Sequence, residues 1–163
     1  MKFLRLGWVV SLLASSALPG AENPSWHASG KGGAVVAQNP KAVGAGIELL
    51  EKGGNAVDAA VATMLVASIM DYGMFCIGAE VPFMIYDAKK KEVKTLSGLG
   101  RAPLNKDDIK WYYEHAIPGN GGIKAVPVPG AVGLFFDALV GYGTKDFAAV
   151  VAPALRILDG GGQ

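Results

Sequence analysis

The chain has 163 residues, enough for one domain with a sizeable core. Hydrophobic residues make up 51% and charged residues 18%, which excludes a disordered chain. With 15 Lys and Arg against 14 Asp and Glu, no basic excess points to nucleic acid and no acidic block points to an interaction tail.

Residues 1–21, MKFLRLGWVVSLLASSALPGA, have the layout of a secretory signal peptide: Lys2 and Arg5, an apolar Leu6–Leu13 stretch, then small residues. Cleavage is expected after Ala17, with Ala21 a second choice. The apolar run is shorter than the ~20 residues that span a bilayer. The expected location is therefore periplasmic or secreted, with no membrane attachment once the signal is removed. An uncut signal acting as an anchor is the alternative.

From residue 22 onward, the segment Gly33–Gln38 (GAVVAQ) predicts a short buried strand. Asn39 can cap a helix that starts at Pro40, a residue suited to the first helical position. Val43, Ile47 and Leu50 recur at helical spacing, and Gly53-Gly54 stops the helix. Asn55 caps a second helix, Ala56–Met70, whose later part carries no charge. Asp58 falls in its first turn, where a carboxylate suits the positive end of the helix dipole. Phe83–Tyr86 and Glu92–Leu96 predict two strands joined by the solvated loop Asp87–Lys91. Helices are expected over Lys106–His115, Ala131–Tyr142 (Leu134, Phe135, Ala138 and Leu139 inward) and Phe147–Leu158. A turn cluster is expected at Pro118–Gly122 and a strand segment at Val126–Val128. Helices packed over strands make the fold class α+β.

Tests for nucleotide motifs fail. Gly44 and Gly46 follow the first predicted strand, but the third glycine of a dinucleotide fingerprint would fall at Leu49. In EKGGNAV the lysine precedes the glycines, and no hydroxyl follows to hold magnesium. Cys76 is the sole cysteine, which excludes an internal disulfide framework and a multi-Cys metal site. His27 and His115 are the only histidines, so no cofactor or metal is called for. Cys76 reads as a small packed residue in preference to a nucleophile, because no basic partner is identified.

Four stretches resemble, in order, the start of the large subunit of the gamma-glutamyltransferase (gamma-glutamyltranspeptidase) family. They are AVVAQNPKAVGAGIELLEKGGNAVDAAVA, IGAEVPFMIYDAKKKEV, SGLGRAP and VPVPGAVGLFFDALVGYGTKDFAAVVAPALRILDGG. The resemblance implies an N-terminal-nucleophile (Ntn) hydrolase fold, with residues 22–163 forming the N-terminal part of its αββα sandwich. It implies a precursor that cuts itself in two, and a threonine at the new N-terminus of the small subunit that attacks a gamma-glutamyl amide. Glutathione is the substrate type implied, and a small subunit the partner.

Thr63, Thr95 and Thr144 all lie within the large-subunit pattern, so no catalytic residue can be assigned here. Thr63 is expected to bond its own helix backbone. Many family members carry an RExAP motif whose arginine grips the substrate α-carboxylate. Aligned on Ala102-Pro103, that position is Leu99, and Arg101 stands in GLGRAP, which resembles the GSGRAP form of a second branch. Arg101 is the substrate-binding candidate, since a guanidinium holds a carboxylate bidentately. The alternative is a structural arginine bonding loop carbonyls. In CIGAEVPF, Cys76 and Ala79 stand where the branch tends to have glycines, and Glu80 reads as a structural acid at a strand start. His115 reads as a surface residue that suits a helix C-terminus. The expected function is therefore part of a gamma-glutamyl amide-cleaving enzyme that is inactive without its small subunit. The competing expectation is a non-catalytic exported binding or scaffold remnant.

Overall fold

The computed structural model describes residues 28–161, so the expected signal segment lies outside the described residues. Five helices and one two-stranded sheet are present among them: α1 (Pro40–Glu51), α2 (Ala56–Met70), β1 (Val81–Asp87), β2 (Glu92–Gly98), α3 (Lys106–His115), α4 (Ala131–Tyr142) and α5 (Phe147–Asp159).

Helix boundaries follow local chemistry. The Asn39 side chain accepts the Lys41 N–H at 2.9 Å, and Pro40 occupies the first helical position of α1. At the other end, Gly53 N–H donates to the Leu50 carbonyl and Gly54 N–H to that of Leu49. This paired closure needs a left-handed residue, supplied by Gly53 at φ +75°. Asn55 and Asp58 then form a reciprocal capping box at the start of α2. Asn105 and Asp146 cap α3 and α5 through their side chains.

Helix α2 is the centre of the packing and touches α1, α4 and α5. Val57, Ala59, Val61, Ala62, Leu65 and Val66 are all buried, over more than half of the helix circumference, while Ala56, Ala60, Met64 and Ala67 share the less buried face. Its alanines keep the helices close, and Gly46 of α1 shows how close. A Cβ there would collide with Thr63 Oγ1 of α2 and come within 2.9 Å of Val35 Cγ1. Phe135 of α4 fills the remaining core space and is 1% exposed; burying a side chain of that size contributes about 2–3 kcal/mol. No helix among the described residues is long and apolar enough to cross a membrane.

The strands pair antiparallel in the register Val81↔Gly98, Phe83↔Leu96 and Ile85↔Lys94. Alternation turns Val81, Phe83, Ile85 and Leu96 toward the helices, while Met84, Tyr86 and Val93 are exposed. The tight hairpin is held by Asp87, whose carboxylate accepts the N–H groups of Lys89 and Lys90. Helix α4 packs against β2. The point of closest approach pairs Gly98 with Gly130, where a Cβ on Gly130 would strike the Gly98 carbonyl.

Three expectations are corrected. Gly33–Gln38 runs without strand pairing: the described sheet is β1 with β2 alone, and Val36 is 93% exposed. Its β-branched residues favour extension, but a strand exists only when a neighbour supplies the hydrogen bonds. Val126–Val128 is likewise non-regular and follows a short 3-10 turn, Ile123–Ala125. Cys76 is exposed and not packed, because it lies in the turn-rich connection between α2 and β1.

Candidate functional site

Arg101 lies in the loop between β2 and α3, and three features fix that loop. Gly98 is clamped between Val81, Leu134 and Gly130, with no space for a side chain. Glu80, immediately before β1, accepts the Gly100 N–H on Oε1 at 2.9 Å. Gly100 itself touches the segment that follows the 3-10 turn, since a Cβ would sit 2.8 Å from Val128 Cβ. The glycines of SGLGRAP thus permit two backbone segments to approach, and Glu80 sets the direction in which the chain leaves β2. Glu80 is a structural acid at a strand start, as its sequence position indicates.

Arg101 is exposed at the edge of an open cleft of about 770 Å³. The cleft is bounded by Glu80 and Gly100 on one side, by Ile109 and Tyr112 of α3 on another, and by Lys124, Val126 and Val128 on the third. Two contacts join α3 to the last of these. The Tyr112 hydroxyl donates to the Lys124 carbonyl at 3.0 Å, and Lys124 Nζ lies 3.4 Å from the centroid of the Trp111 ring. His115 stacks on the other partner of this cluster, with its ring centroid 4.6 Å from that of Trp111. It is exposed in the last turn of α3, as a surface residue suiting the helix dipole.

Arg101 has no hydrogen-bond or ion-pair partner among the described residues, whereas Glu80 and Lys124 are both engaged. Sequence reasoning singled out Arg101 but missed Tyr112, Lys124 and Val128. One signal was available in the sequence: the aromatic run Trp111-Tyr112-Tyr113 falls within the otherwise mainly polar stretch Lys106–His115, and the structure leaves that helix with no buried residue.

Asp58 belongs to a separate, buried centre. Its carboxylate accepts the Asn55 N–H at 2.7 Å, the Thr144 hydroxyl at 2.6 Å and N–H at 3.0 Å, and the Lys145 N–H at 3.2 Å. Asn55 adds a hydrogen bond from its side-chain nitrogen to the Tyr142 carbonyl at 2.7 Å. Burial acts to raise the Asp58 pKa, but the Thr144 hydroxyl and the three backbone donors together outweigh it and hold it below the usual 3.8. Asp58 therefore joins the start of α2 to the α4–α5 connection, a structural role wider than capping its own helix. Thr63 is spent on its own helix, donating to the Ala59 carbonyl at 2.8 Å. Among the described residues, no three His, Cys, Asp or Glu side chains gather as a metal site.

The model of the family described as gamma-glutamyltranspeptidase matches residues 42–163. The chain belongs to the gamma-glutamyltranspeptidase family. Glutathione hydrolase proenzyme of Bacillus subtilis (strain 168) is 32% identical over 137 residues, covering 81% of this chain and 23% of that protein. The crystal structure of Helicobacter pylori gamma-glutamyltranspeptidase superposes with a TM-score of 0.64 at 28% identity, over 80% of this chain and 38% of that one. Cephalosporin acylase from Bacillus halodurans superposes with a TM-score of 0.64 at 29% identity, over 86% of this chain and 28% of that one. The chain thus spans about a quarter of the length of the curated relative, and its fold is that of part of an Ntn hydrolase, α+β in class. In this gamma-glutamyltranspeptidase-family chain, both the Asp58 centre and the Arg101 cleft fall inside the matched residues.

Proposed function

We propose that this chain is the N-terminal part of the large subunit of an enzyme that cleaves gamma-glutamyl amides such as glutathione. In this reading Arg101 holds the α-carboxylate of the glutamyl group. A companion small subunit supplies the threonine whose hydroxyl attacks the amide carbonyl, with its own α-amine as base. The observation that supports it is the placement of Arg101: a guanidinium with no partner among the described residues, on a loop oriented by Glu80 and Gly100, at the edge of a cleft that can hold a small molecule. Displacement of the arginine by two positions, with Leu99 at the RExAP site, is then a change of route to the same carboxylate. We further propose that the protein is exported, which mass spectrometry of the mature N-terminus tests. A mature chain starting at Leu18 or Glu22 supports export, and an intact Met1 refutes it.

The decisive experiment co-expresses the chain with its small subunit and follows release of a chromogenic amine from a gamma-glutamyl anilide. Arg101→Ala is expected to raise KM on the order of 10²-fold, the effect of losing a charge-assisted carboxylate contact. Unchanged kinetics return Arg101 to a structural role. Absence of amide cleavage by the assembled protein favours a non-catalytic binding or scaffold protein of the same family.

A further inference from the structure

The cleft is larger than a glutamyl group and has an unusual division of labour. Its volume of about 770 Å³ falls in the range that holds a drug-sized ligand, well beyond what one amino-acid-sized group fills. Its polar groups are largely committed. Glu80 Oε1 is bonded to the Gly100 N–H, the Tyr112 hydroxyl to the Lys124 carbonyl, and the Lys124 amine to the face of Trp111. What remains on the walls is mainly apolar: Ile109 and the Tyr112 ring on α3, and Val126 and Val128 on the segment opposite, with the exposed Tyr113 hydroxyl and the second Glu80 oxygen as the polar exceptions. Val126 and Val128 are 65% and 56% exposed. The two walls are not independent, because the Tyr112–Lys124 and Lys124–Trp111 contacts tie them together.

We infer that these walls form a subsite for an apolar group of the substrate, so that among gamma-glutamyl amides the cleft prefers an aromatic or aliphatic amine portion to a polar one such as the cysteinylglycine of glutathione. Lys124 is a positioning residue: it touches no reacting atom and holds the Val126–Val128 wall against α3 through Trp111. The inference rests on the carboxylate role proposed for Arg101. A small polar amine portion would leave the apolar walls wet, whereas a phenyl-sized group would remove them from water.

The test uses the enzyme assembled with its small subunit and two N-alkyl amides of similar intrinsic reactivity, gamma-glutamyl methylamide and gamma-glutamyl benzylamide. The benzylamide is expected to have the higher kcat/KM, by at least tenfold. Val128→Asp is expected to lower the benzylamide-to-methylamide ratio at least tenfold, and the isosteric Val128→Thr to lower it by a smaller factor. Should Val128→Asp fail to fold, Val128→Thr carries the test. Lys124→Ala is expected to raise KM for the benzylamide with little change in kcat, and Lys124→Arg, which keeps the cation on Trp111, to restore it. Equal kcat/KM for the two amides, or a ratio unmoved by both Val128 variants, overturns the subsite while leaving the Arg101 reading standing. If Arg101→Ala leaves both amides unaffected, the carboxylate reading fails and the subsite with it.

Discussion

Asp58→Ala is the most informative single perturbation of the core. The carboxylate is fully buried and receives the Asn55, Thr144 and Lys145 N–H groups and the Thr144 hydroxyl. A hydrogen bond to a charged group contributes about 1.5–3 kcal/mol, and a buried donor left without a partner costs about 1–3 kcal/mol. These donors act as a unit and water can enter the vacated space, so the terms do not add. The expected loss is about 3–5 kcal/mol, comparable to breaking a buried charged network. At a urea m-value of about 2 kcal/mol/M this is a fall of roughly 1.5–2.5 M in the unfolding midpoint. Asp58→Asn keeps the shape but offers an NH₂ where two donors converge, and about 1–3 kcal/mol should be lost. A pH series separates charge from shape. The folded pKa lies below the ordinary value, so the stabilisation is present in full above pH 3.8 and is lost as pH falls from there through the lower folded pKa. The gap between wild type and Asp58→Asn should therefore narrow on acidification below pH 3.8. A midpoint shift for Asp58→Ala below about 0.3 M, or a gap independent of pH down to acid unfolding, would refute a charged tie between α2 and the α4–α5 connection.

Two further outcomes follow from close contacts. Gly46→Ala should destabilise by about 1–3 kcal/mol by overpacking against Thr63 and Val35, and Thr63→Ala in the same chain should recover part of it, giving a coupling measurable in a urea double-mutant cycle. Additive effects would mean the helices have separated. Glu80→Ala should free the Gly100 N–H and raise KM of the assembled enzyme about tenfold with kcat little changed, while Glu80→Gln, still an acceptor, should stay near wild type. Wild-type kinetics for Glu80→Ala would show that the loop holds its course without Glu80.

Local chemistry made much of the architecture legible. The starts of α1, α2 and α3 fall where Asn39, Asn55 and Asn105 stand, and α1 ends where Gly53 allows a left-handed turn. Those boundaries depend on donors and acceptors a few residues apart, so a reading of neighbours suffices. The hairpin was visible for the same reason, because alternation and a polar turn lie side by side. Gly33–Gln38 shows the limit: its residues favour extension, yet the backbone partner that makes a strand is not encoded within the segment.

The candidate site divides along the same line. Arg101 and its glycine-flanked loop could be singled out from sequence, and so could Asp58 as the acid of a first helical turn. The sequence alone settled which segments are helical, where they stop, and the family that the chain belongs to. Only the tertiary structure brought Thr144 and Lys145 to Asp58 across more than eighty positions, |i−j| = 86 and 87. It also set Glu80 against Gly100 twenty positions on, |i−j| = 20, and placed Lys124 over Trp111 to build a cleft wall. Caps and turns are short-range hydrogen-bond choices written in adjacent residues. Burial of a charge, and the shape of a cleft, depend on which distant segments the hydrophobic core forces together.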